Sequence, residues 1–331
     1  MQLALLWLWI AVVSAWGQKK SAPPPKPELN RVEISALRTE KPFVNKLSNR
    51  HFDFGGDAII QNDAHIRLTS DRQGQRGWYF AKAPFMTGSF QVELEFRIHG
   101  QGGSLYGDGM ALWILDKMPK EGPVFGIEDK PRGLGLFVDT YKNERPGRAF
   151  PYAMLMLGDG HTPYDADHDG AANELGGCSL RGIHNSDTPT KLRLTHVKDG
   201  FLSVESDRGR GWETCFVIDG IRVPTPGHLG VSAQTGELHD NHDIISMKAY
   251  QLRTVPNTFE EYDYAMNGRE PPKGNFDRKG RTLPDPSEQQ SSGWLWFFFK
   301  WTVIACILVG GYLGFRVYQV KQKRKQEPFY L

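Results

Sequence analysis

The sequence predicts an all-β fold, a sandwich of two antiparallel sheets, followed by one C-terminal transmembrane helix. Residues 89–98 alternate apolar and polar side chains, as a half-buried antiparallel strand does. Glycine and proline interrupt the pattern throughout residues 28–252, and no helical period is sustained there. About a dozen predicted strands in one unit of roughly 225 residues favour a two-sheet sandwich or jelly roll.

Individual strands follow from local patterns. Residues 191–197 and 201–205 alternate in the same way, and Lys198-Asp-Gly200 between them is a hairpin signal. Three short apolar runs predict strands that are covered on both faces: residues 111–115, 133–138 and 153–157.

Hydrophobic segments at the two ends predict the topology. Residues 1–17 are apolar and end in small residues, which is typical of a signal peptide, with a buried N-terminal strand as the alternative. Residues 293–315 are apolar apart from Lys300 and are long enough to cross a bilayer. Basic residues follow directly, so the positive-inside rule places this end in the cytosol and most of the chain in the secretory lumen.

These signals divide the chain into six segments. They are a signal peptide (1–17), a flexible lead-in (18–29), a lumenal domain (30–253), a stalk (254–292), a transmembrane helix (293–315) and a cytoplasmic tail (316–331). Proline, glycine and charged residues dominate the stalk, where a short helix is predicted near residues 259–266. The stalk lacks convincing heptads, which favours a monomer or weak dimer.

Charge and cysteine content narrow the possible partners. The formal net charge is +2, and the only dense basic run is residues 321–325, which argues against nucleic acid as a partner. Cys178 and Cys215 lie in the predicted lumenal part, where an oxidising environment favours a disulfide; two free thiols are the alternative. No Asn-x-Ser/Thr glycosylation acceptor occurs in the chain.

Asp139, Tyr141 and Asn143 form the strongest candidate site. They are spaced by two directly after an apolar run, so a turn there offers carboxylate, carbonyl and amide oxygens to a hard cation, calcium by preference. One carboxylate from the acidic cluster 165–170 would complete such a cage. Loops rich in aspartate and glycine are also common as simple turns.

Two other polar segments are candidates for a ligand or metal site. Asp108 lies between glycines before an apolar strand, where a flat ligand can approach it; an ordinary Asp-Gly turn is the alternative. Residues 235–243 contain two histidines and three acids, but their spacing matches no zinc motif. We interpret them as a polar loop before a strand at residues 244–252.

Taken together, these segments resemble the intracellular L-type (legume-like) lectins of the early secretory pathway. The resemblance covers about residues 30–252 and extends to the stalk, span and tail. Its motifs occur in this order: Asp53-Phe-Gly-Gly-Asp57, Gly107-Asp-Gly-Met-Ala-Leu-Trp113, Gly122-Pro-Val-Phe-Gly126, Gly133-Leu-Gly-Leu-Phe-Val-Asp-Thr-Tyr141, the pair Cys178 and Cys215, and Asp240-Asn-His-Asp-Ile-Ile-Ser246. The resemblance implies a legume-lectin-like jelly roll of two curved antiparallel sheets.

The resemblance also implies a coupled metal and sugar site. Its calcium ligands fall on Asp139, the Tyr141 carbonyl, Asn143 and Asp169. Its sugar site falls on Asp108, Asn143 and the loop Gly236-Glu237-Leu238.

Such a protein is a non-enzymatic cargo receptor. It is expected to bind high-mannose N-glycans in the lumen and vesicle coat components through its tail. Its expected locations are the endoplasmic reticulum, the ER–Golgi intermediate compartment and Golgi membranes.

Three positions depart from the family pattern. Ala166 replaces a sugar-contacting histidine, Glu237 replaces an aspartate, and Gly74 falls where an early loop carries serine. Each lost polar contact costs about 1 kcal/mol of binding free energy. Two alternatives therefore stay open. One is a membrane-tethered protein-interaction module with a degenerate sugar site. The other is a glycosidase that uses Glu93 and Glu95, which alternate on one strand as paired catalytic carboxylates do.

Overall fold

The computed structural model describes residues 27–43, 51–269, 275–276, 282–283 and 293–324. The predicted signal peptide, most of the lead-in, about half of the stalk and the end of the tail lie outside these residues. The chain divides into two compact units, Met1–Glu270 and Pro271–Leu331, which are described separately.

The described part of the first unit contains eighteen strands. In the first half they are β1 (Asn30–Glu33), β2 (Thr39–Glu40), β3 (Phe52–Gly56), β4 (Ile59–Gln61), β5 (His65–Thr69), β6 (Arg76–Ala81), β7 (Phe90–His99), β8 (Gly109–Leu115) and β9 (Glu121–Gly122). In the second half they are β10 (Gly126–Ile127), β11 (Arg132–Asp139), β12 (Tyr152–Asp159), β13 (Gly176–Ser179), β14 (Thr190–His196), β15 (Phe201–Asp207), β16 (Trp212–Asp219), β17 (His228–Gln234) and β18 (Asn241–Thr254).

These strands build the antiparallel sandwich that the sequence predicts. One sheet has the order β16-β15-β14-β7-β18-β5-β4, and β1 and β2 also pair with β18. The other has the order β13-β12-β11-β8-β17-β6-β3. In the described connections lie three turns of 3-10 helix: Ser35–Leu37, Ala166–His168 and Ala171–Asn173.

The main core lies between the two sheets, and a second apolar cluster covers the outer face of the seven-stranded sheet. Along β8, for example, Leu112 and Ile114 face the main core, whereas Trp113 and Leu115 belong to the second cluster. Both faces of β8, β11 and β12 are therefore buried, which confirms the prediction from their continuous apolar runs.

Strand positions agree closely with the local patterns, but the start of the last strand and the number of strands differ from the prediction. The alternating segments form β7, β14 and β15, and residues 198–200 connect the last two as a turn. Strand β18, however, begins at Asn241, so Asn241–Asp243 belong to the strand rather than to the predicted loop. The dozen predicted strands become eighteen because short strands such as β2 and β9 have only two residues and no periodic signal.

The helix predicted inside the stalk is α1 (Phe259–Asn267). Thr258 caps its first turn by accepting the N–H of Glu261, and its Tyr262 packs with Phe201 and Leu252 on the outer face of the nine-stranded sheet. The first compact unit therefore extends to Glu270, although the sequence favours a stalk from residue 254.

A disulfide joins Cys178 on β13 to Cys215 on β16, as predicted. These two strands are the edges of different sheets, so the bridge links the sheets along one side of the sandwich.

In the described part of the second unit, β19 (Asn275–Phe276) pairs with β20 (Thr282–Leu283), and α2 covers Gly293–Arg324. Within α2, Lys300–Gln319 have a mean hydropathy of 1.5 and are long and apolar enough to cross a membrane. This segment overlaps the predicted span, and the helix continues into the predicted tail.

Candidate functional site

Three strand ends of the seven-stranded sheet bring the candidate site together. Asp139 is the last residue of β11, Asp108 directly precedes β8, and Gln234 is the last residue of β17. Gly109, the first residue of β8, pairs with both Asp139 and Gln234. Asp108 and Asp139, which are distant in sequence, therefore lie close together where these neighbouring strands end.

Backbone hydrogen bonds fix the position of Asp108. Its N–H donates to the Gln234 carbonyl at 3.2 Å, and its carbonyl accepts the N–H of Thr140 at 2.9 Å. Its half-buried carboxylate accepts a hydrogen bond from Nε2 of Gln234 at 3.4 Å. The Gly107–Asp108 peptide bond is cis. Neighbouring strands thus hold Asp108 from both sides, with its carboxylate at the wall of a pocket.

The chain turns directly after Asp139, as the spacing of the candidate residues predicts. The Asp139 side chain is buried, and its Oδ1 accepts the N–H of Tyr141 at 3.1 Å. The Tyr141 side chain is exposed at the rim of the pocket. This turn places a buried carboxylate below an exposed aromatic ring.

Asn143 connects this turn to the acidic cluster. Its N–H donates to both carboxylate oxygens of Asp169, at 3.0 and 3.1 Å. Its side-chain Nδ2 donates to the Ala166 carbonyl at 2.8 Å, which leaves Oδ1 as the acceptor atom of the amide. Asp169 is buried and adopts a left-handed conformation, with φ of 51°, directly after the turn Ala166–His168. Residues from 139–143 and 166–169 therefore form one cluster.

The electrostatics of this cluster favour a cation. Burial raises the pKa of Asp139 well above its usual range, and the negative charges of Asp169 and Asp108 raise it further. Burial also raises the pKa of Asp169 and of Asp108, although hydrogen bonds to their carboxylates oppose the increase. Arg145 lies behind Asp169 and donates to its carbonyl at 3.0 Å, but this guanidinium also pairs with Glu174. A bound cation would offset the negative charge that the site contains.

The donor chemistry fits calcium better than zinc. The predicted ligands are two carboxylates, one amide and one main-chain carbonyl, and calcium prefers such oxygen ligands. Among the described residues, no group of three or more His, Cys, Asp or Glu side chains is placed to hold a metal ion. Neutral oxygens must therefore supply part of the coordination.

The predicted sugar loop lies next to Asp108. An added Cβ on Gly236 would be 3.0 and 3.2 Å from the two Asp108 carboxylate oxygens, so only a glycine leaves the carboxylate this close to the backbone. Leu238 is half-buried and its carbonyl accepts the Gly236 N–H, whereas Glu237 is exposed. The Gly74 N–H donates to the Gly236 carbonyl at 3.2 Å. The early loop thus lies beside the predicted sugar loop.

One pocket unites most of these residues. It is lined by Asp108, Pro123, Phe125, Asp139, Tyr141, Asn143, Tyr164, Ala166 and Gln234. The exposed side chain of Ala166 therefore faces the same space as Asp108 and Asn143. His168, the nearest histidine in sequence, instead bonds to Asp165 at 2.9 Å.

Pocket residues that sequence patterns did not identify come from distant segments. Gln234 reaches Asp108 through the pairing of β17 with β8. Tyr164 packs against Phe125 and Phe137, with ring centroids 5.9 and 5.0 Å apart respectively. Tyr164 could have been identified from the sequence, because it directly precedes the acidic cluster 165–170, and an aromatic ring beside a calcium-type loop can form the wall of a ligand pocket.

The other polar candidates lie outside this pocket. Asp240 and His242 are fully buried: His184 Nε2 lies 3.2 Å from Asp240 Oδ1, and His242 Nδ1 lies 2.7 Å from the Thr69 hydroxyl. These residues form an internal network between β5 and β18 rather than a metal site.

The two glutamates considered as catalytic carboxylates also lie elsewhere. Glu93 pairs with Arg31 at 2.7 Å, and Glu95 accepts the Ser246 hydroxyl at 3.1 Å. Both residues line a different pocket, on the nine-stranded sheet.

Residues 34–258 match the family model described as the Legume-like lectin family. The VIP36-like protein of Bos taurus is 35% identical over 298 residues, which are 88% of this chain and 83% of that protein. The vesicular integral-membrane protein VIP36 of Homo sapiens is 35% identical over 302 residues, 86% of this chain and 82% of that protein.

The chain is also similar in structure to a solved lectin domain. The exoplasmic/lumenal domain of VIP36, in a form bound to Ca²⁺ and Man2, has a TM-score of 0.63 and 36% identity, covering 68% of this chain and 91% of that domain. The same domain has also been solved bound to Ca²⁺ and Man3GlcNAc.

Proposed function

The chain belongs to the legume-like lectin family, and from this we propose that it is a calcium-dependent lectin for mannose-type glycans. The observation that carries the proposal is the position of Asp108 and Asn143 in one pocket, beside the buried carboxylates of Asp139 and Asp169. The calcium and mannose present in the VIP36 lumenal domain, which is similar over this whole region, support the same assignment.

In this proposal, Asp139, Asp169, the Tyr141 carbonyl and Asn143 bind calcium. The ion supplies positive charge where burial and mutual repulsion raise the pKa values of the carboxyl groups. Because Asn143 is held through both its N–H and its Nδ2, a metal bound to its remaining oxygen would restrict the side chain to one orientation. Metal and sugar binding are therefore coupled through Asn143.

The sugar would bind in the pocket above these residues. The Asp108 carboxylate accepts hydrogen bonds from hydroxyl groups, Asn143 adds a polar contact, and Gly236, Glu237 and Leu238 supply the loop beside them. Binding and release break no covalent bond, so the proposed protein is not an enzyme.

The three departures from the family pattern affect the sugar side of the site only. Ala166 offers the pocket no polar side chain, and Gly74 likewise contributes only backbone next to Gly236. We expect a mannose affinity below that of a site with all the family contacts, by about a factor of five for each lost hydrogen bond.

The membrane topology suggests the physiological role. We propose that the lectin domain holds high-mannose glycoproteins in the lumen of the endoplasmic reticulum, the intermediate compartment and the Golgi. The apolar segment of α2 anchors it in the membrane, and the basic tail recruits vesicle coat components. A truncated chain without residues 316–331 tests this role, because it should bind glycans normally and accumulate in the endoplasmic reticulum.

Titration calorimetry with mannose oligosaccharides, with calcium and with a chelator, tests the lectin proposal. Wild type should bind only with calcium, and Asp139→Asn should lose calcium and sugar binding together. Asp167→Asn is the matched control, because this exposed acid makes the same chemical change in the neighbouring loop of Asp169 and does not line the pocket. Sugar binding that persists in chelator, or in Asp139→Asn, would refute the proposed site.

The departure at Ala166 gives one alternative a specific basis. A degenerate sugar site would leave a calcium-stabilised module that binds unglycosylated protein. Under that alternative, wild type binds no glycan on an array with calcium present, but it still captures cargo protein from which the glycans have been removed enzymatically.

A further inference from the structure

A third pocket, with an excess of positive charge, lies on the outer face of the nine-stranded sheet. Its volume is about 460 Å³, within the range of small-molecule sites. Its charged and titratable lining residues are Lys41, His65, Arg67, Arg97, His99 and Asp243. None of them lines the pocket of Asp108, which belongs to the other sheet.

Strand register explains why these side chains share a face. Asp243 on β18 pairs with Arg67 on β5 and with Arg97 on β7, so the three form one row across adjacent strands. His65 and His99 are two residues away from the two arginines, and side chains two apart on a strand point to the same side. Residues between them, such as Ile66 and Ile98, face the core.

The single carboxylate of the row is already paired. Asp243 is 3% exposed, and Arg67 binds it through Nε and Nη2 at 2.7 and 2.8 Å. His99 Nε2 lies 2.8 Å from its second oxygen, and His65 Nε2 lies 3.5 Å from the first. Arg67 therefore neutralises Asp243, and both carboxylate oxygens have partners.

The remaining two cations are placed differently. Arg97 donates to the main-chain carbonyl of Asp187 at 2.9 Å, and neither Arg97 nor Lys41 has a carboxylate within 4.0 Å among the described residues. Lys41, Arg67 and Arg97 against Asp243 give three positive charges and one negative, a formal excess of two before either histidine is protonated.

We propose that this pocket is a binding site for a tetrahedral oxyanion, a sulfate or phosphate group. A concave surface with excess positive charge concentrates anions, and a guanidinium presents paired N–H donors that match the oxygens of such groups. Arg97 and Lys41 bind the anion, while Arg67 stays with Asp243 and keeps the floor of the pocket rigid. The anion is either a free ion or a monoester on a larger molecule, which the probes below distinguish.

The test is titration calorimetry on the full chain in detergent at low chloride. Inorganic sulfate probes free ions, and methyl phosphate probes monoesters. We expect saturable binding of sulfate by wild type, with affinity reduced about tenfold in Arg97→Gln and severalfold in Lys41→Gln. Lys198→Gln is the control, because this exposed lysine makes the same charge change at the opposite end of β14 from Pro189, which lines the pocket.

The outcomes decide the proposal in both directions. Selective loss in the two pocket variants, with unchanged calcium-dependent mannose binding, supports a separate anion site. Binding of sulfate but not of methyl phosphate supports the site and assigns it to free ions. Absence of saturable sulfate binding, or equal weakening in Lys198→Gln, overturns it.

Discussion

Replacing the buried Asp240 by asparagine should stabilise the β-sandwich at neutral pH and leave its stability at acid pH almost unchanged. The Asp240 side chain is fully buried, and its Oδ2 has no hydrogen-bond partner among the described residues. Burial, together with the negative charge of Asp71, raises the pKa of Asp240 from 3.8 to about 7. Above that pH the fold must hold an ionised carboxylate that water solvates better in the unfolded chain.

The sign and size follow from linkage. Between pH 3.8 and about 7 the folded state binds the Asp240 proton more tightly than the unfolded state, so the free energy of unfolding decreases as pH rises through this window. A difference of roughly three pH units corresponds to at most about 4 kcal/mol at pH 7.5. The Asp240→Asn side chain would keep the shape and carry no charge, so the variant should recover much of this free energy.

A second buried group makes the comparison with wild type essential. Burial lowers the pKa of His242 to about 3, so the unfolded state binds this proton more tightly and stability increases with pH up to about 6.5. The contributions of His242 and Asp240 oppose each other over most of the acid range. The pH curve of wild type alone therefore cannot isolate Asp240, whereas the difference between wild type and variant can.

Urea unfolding of the full chain in detergent, followed by near-UV circular dichroism at pH 4.0, 5.5 and 7.5, measures this difference. Chelator is present throughout, so that calcium binding does not contribute. Asp167→Asn makes the same chemical change at an exposed position and should shift stability little at any pH. A variant at Asp240 that is less stable than wild type at pH 7.5, or whose gain is equal at pH 4.0 and 7.5, would contradict the reasoning.

Three further predictions concern the site and the disulfide. Ala166→His should raise mannose affinity about fivefold in calorimetry by adding a polar contact. An unchanged affinity would contradict the proposal that residue 166 lies against the bound sugar. Gly236→Ala should weaken mannose binding because its Cβ crowds a carboxylate, whereas Gly103→Ala, where an added Cβ has open space, should not. Replacing both Cys178 and Cys215 by alanine should cost about 4 kcal/mol in urea unfolding, since the bridge spans 37 residues; a loss below 1 kcal/mol would exclude loop closure as its main effect.

Local patterns predicted those parts of the fold in which burial follows strand geometry. The alternation of residues 89–98 and the apolar run of residues 133–138 each report which faces are covered, and both became strands. Asn241–Asp243 escaped prediction because they are polar yet lie inside the sheet, where Thr69 bonds to Nδ1 of His242, and Arg67 and His99 bond to Asp243. Such compensation depends on partners that are distant in sequence.

The site was predictable to a similar extent. The spacing of Asp139, Tyr141 and Asn143 indicated an oxygen cage, and the structure gathers these residues with Asp169. Their roles as ligands stay predictions that the calorimetry above tests. Gln234 was not identified because only the register of two strands brings it to the pocket.

The position of β18 determines how the sandwich bears mechanical load. This strand begins next to the loop of the candidate site, ends at Thr254 just before α1, and is flanked along its length by β7 on one side and by β5, β1 and β2 on the other. Because α1 follows β18 and packs on the same sheet, tension from the C-terminal side reaches β18 only after α1 has detached, and it then pulls an interior strand along its own axis. Its inter-strand hydrogen bonds run across that axis, so they are sheared together rather than unzipped one at a time. A strand that is paired on both sides in this way resists such a pull better than an edge strand, which can peel away from its single neighbour.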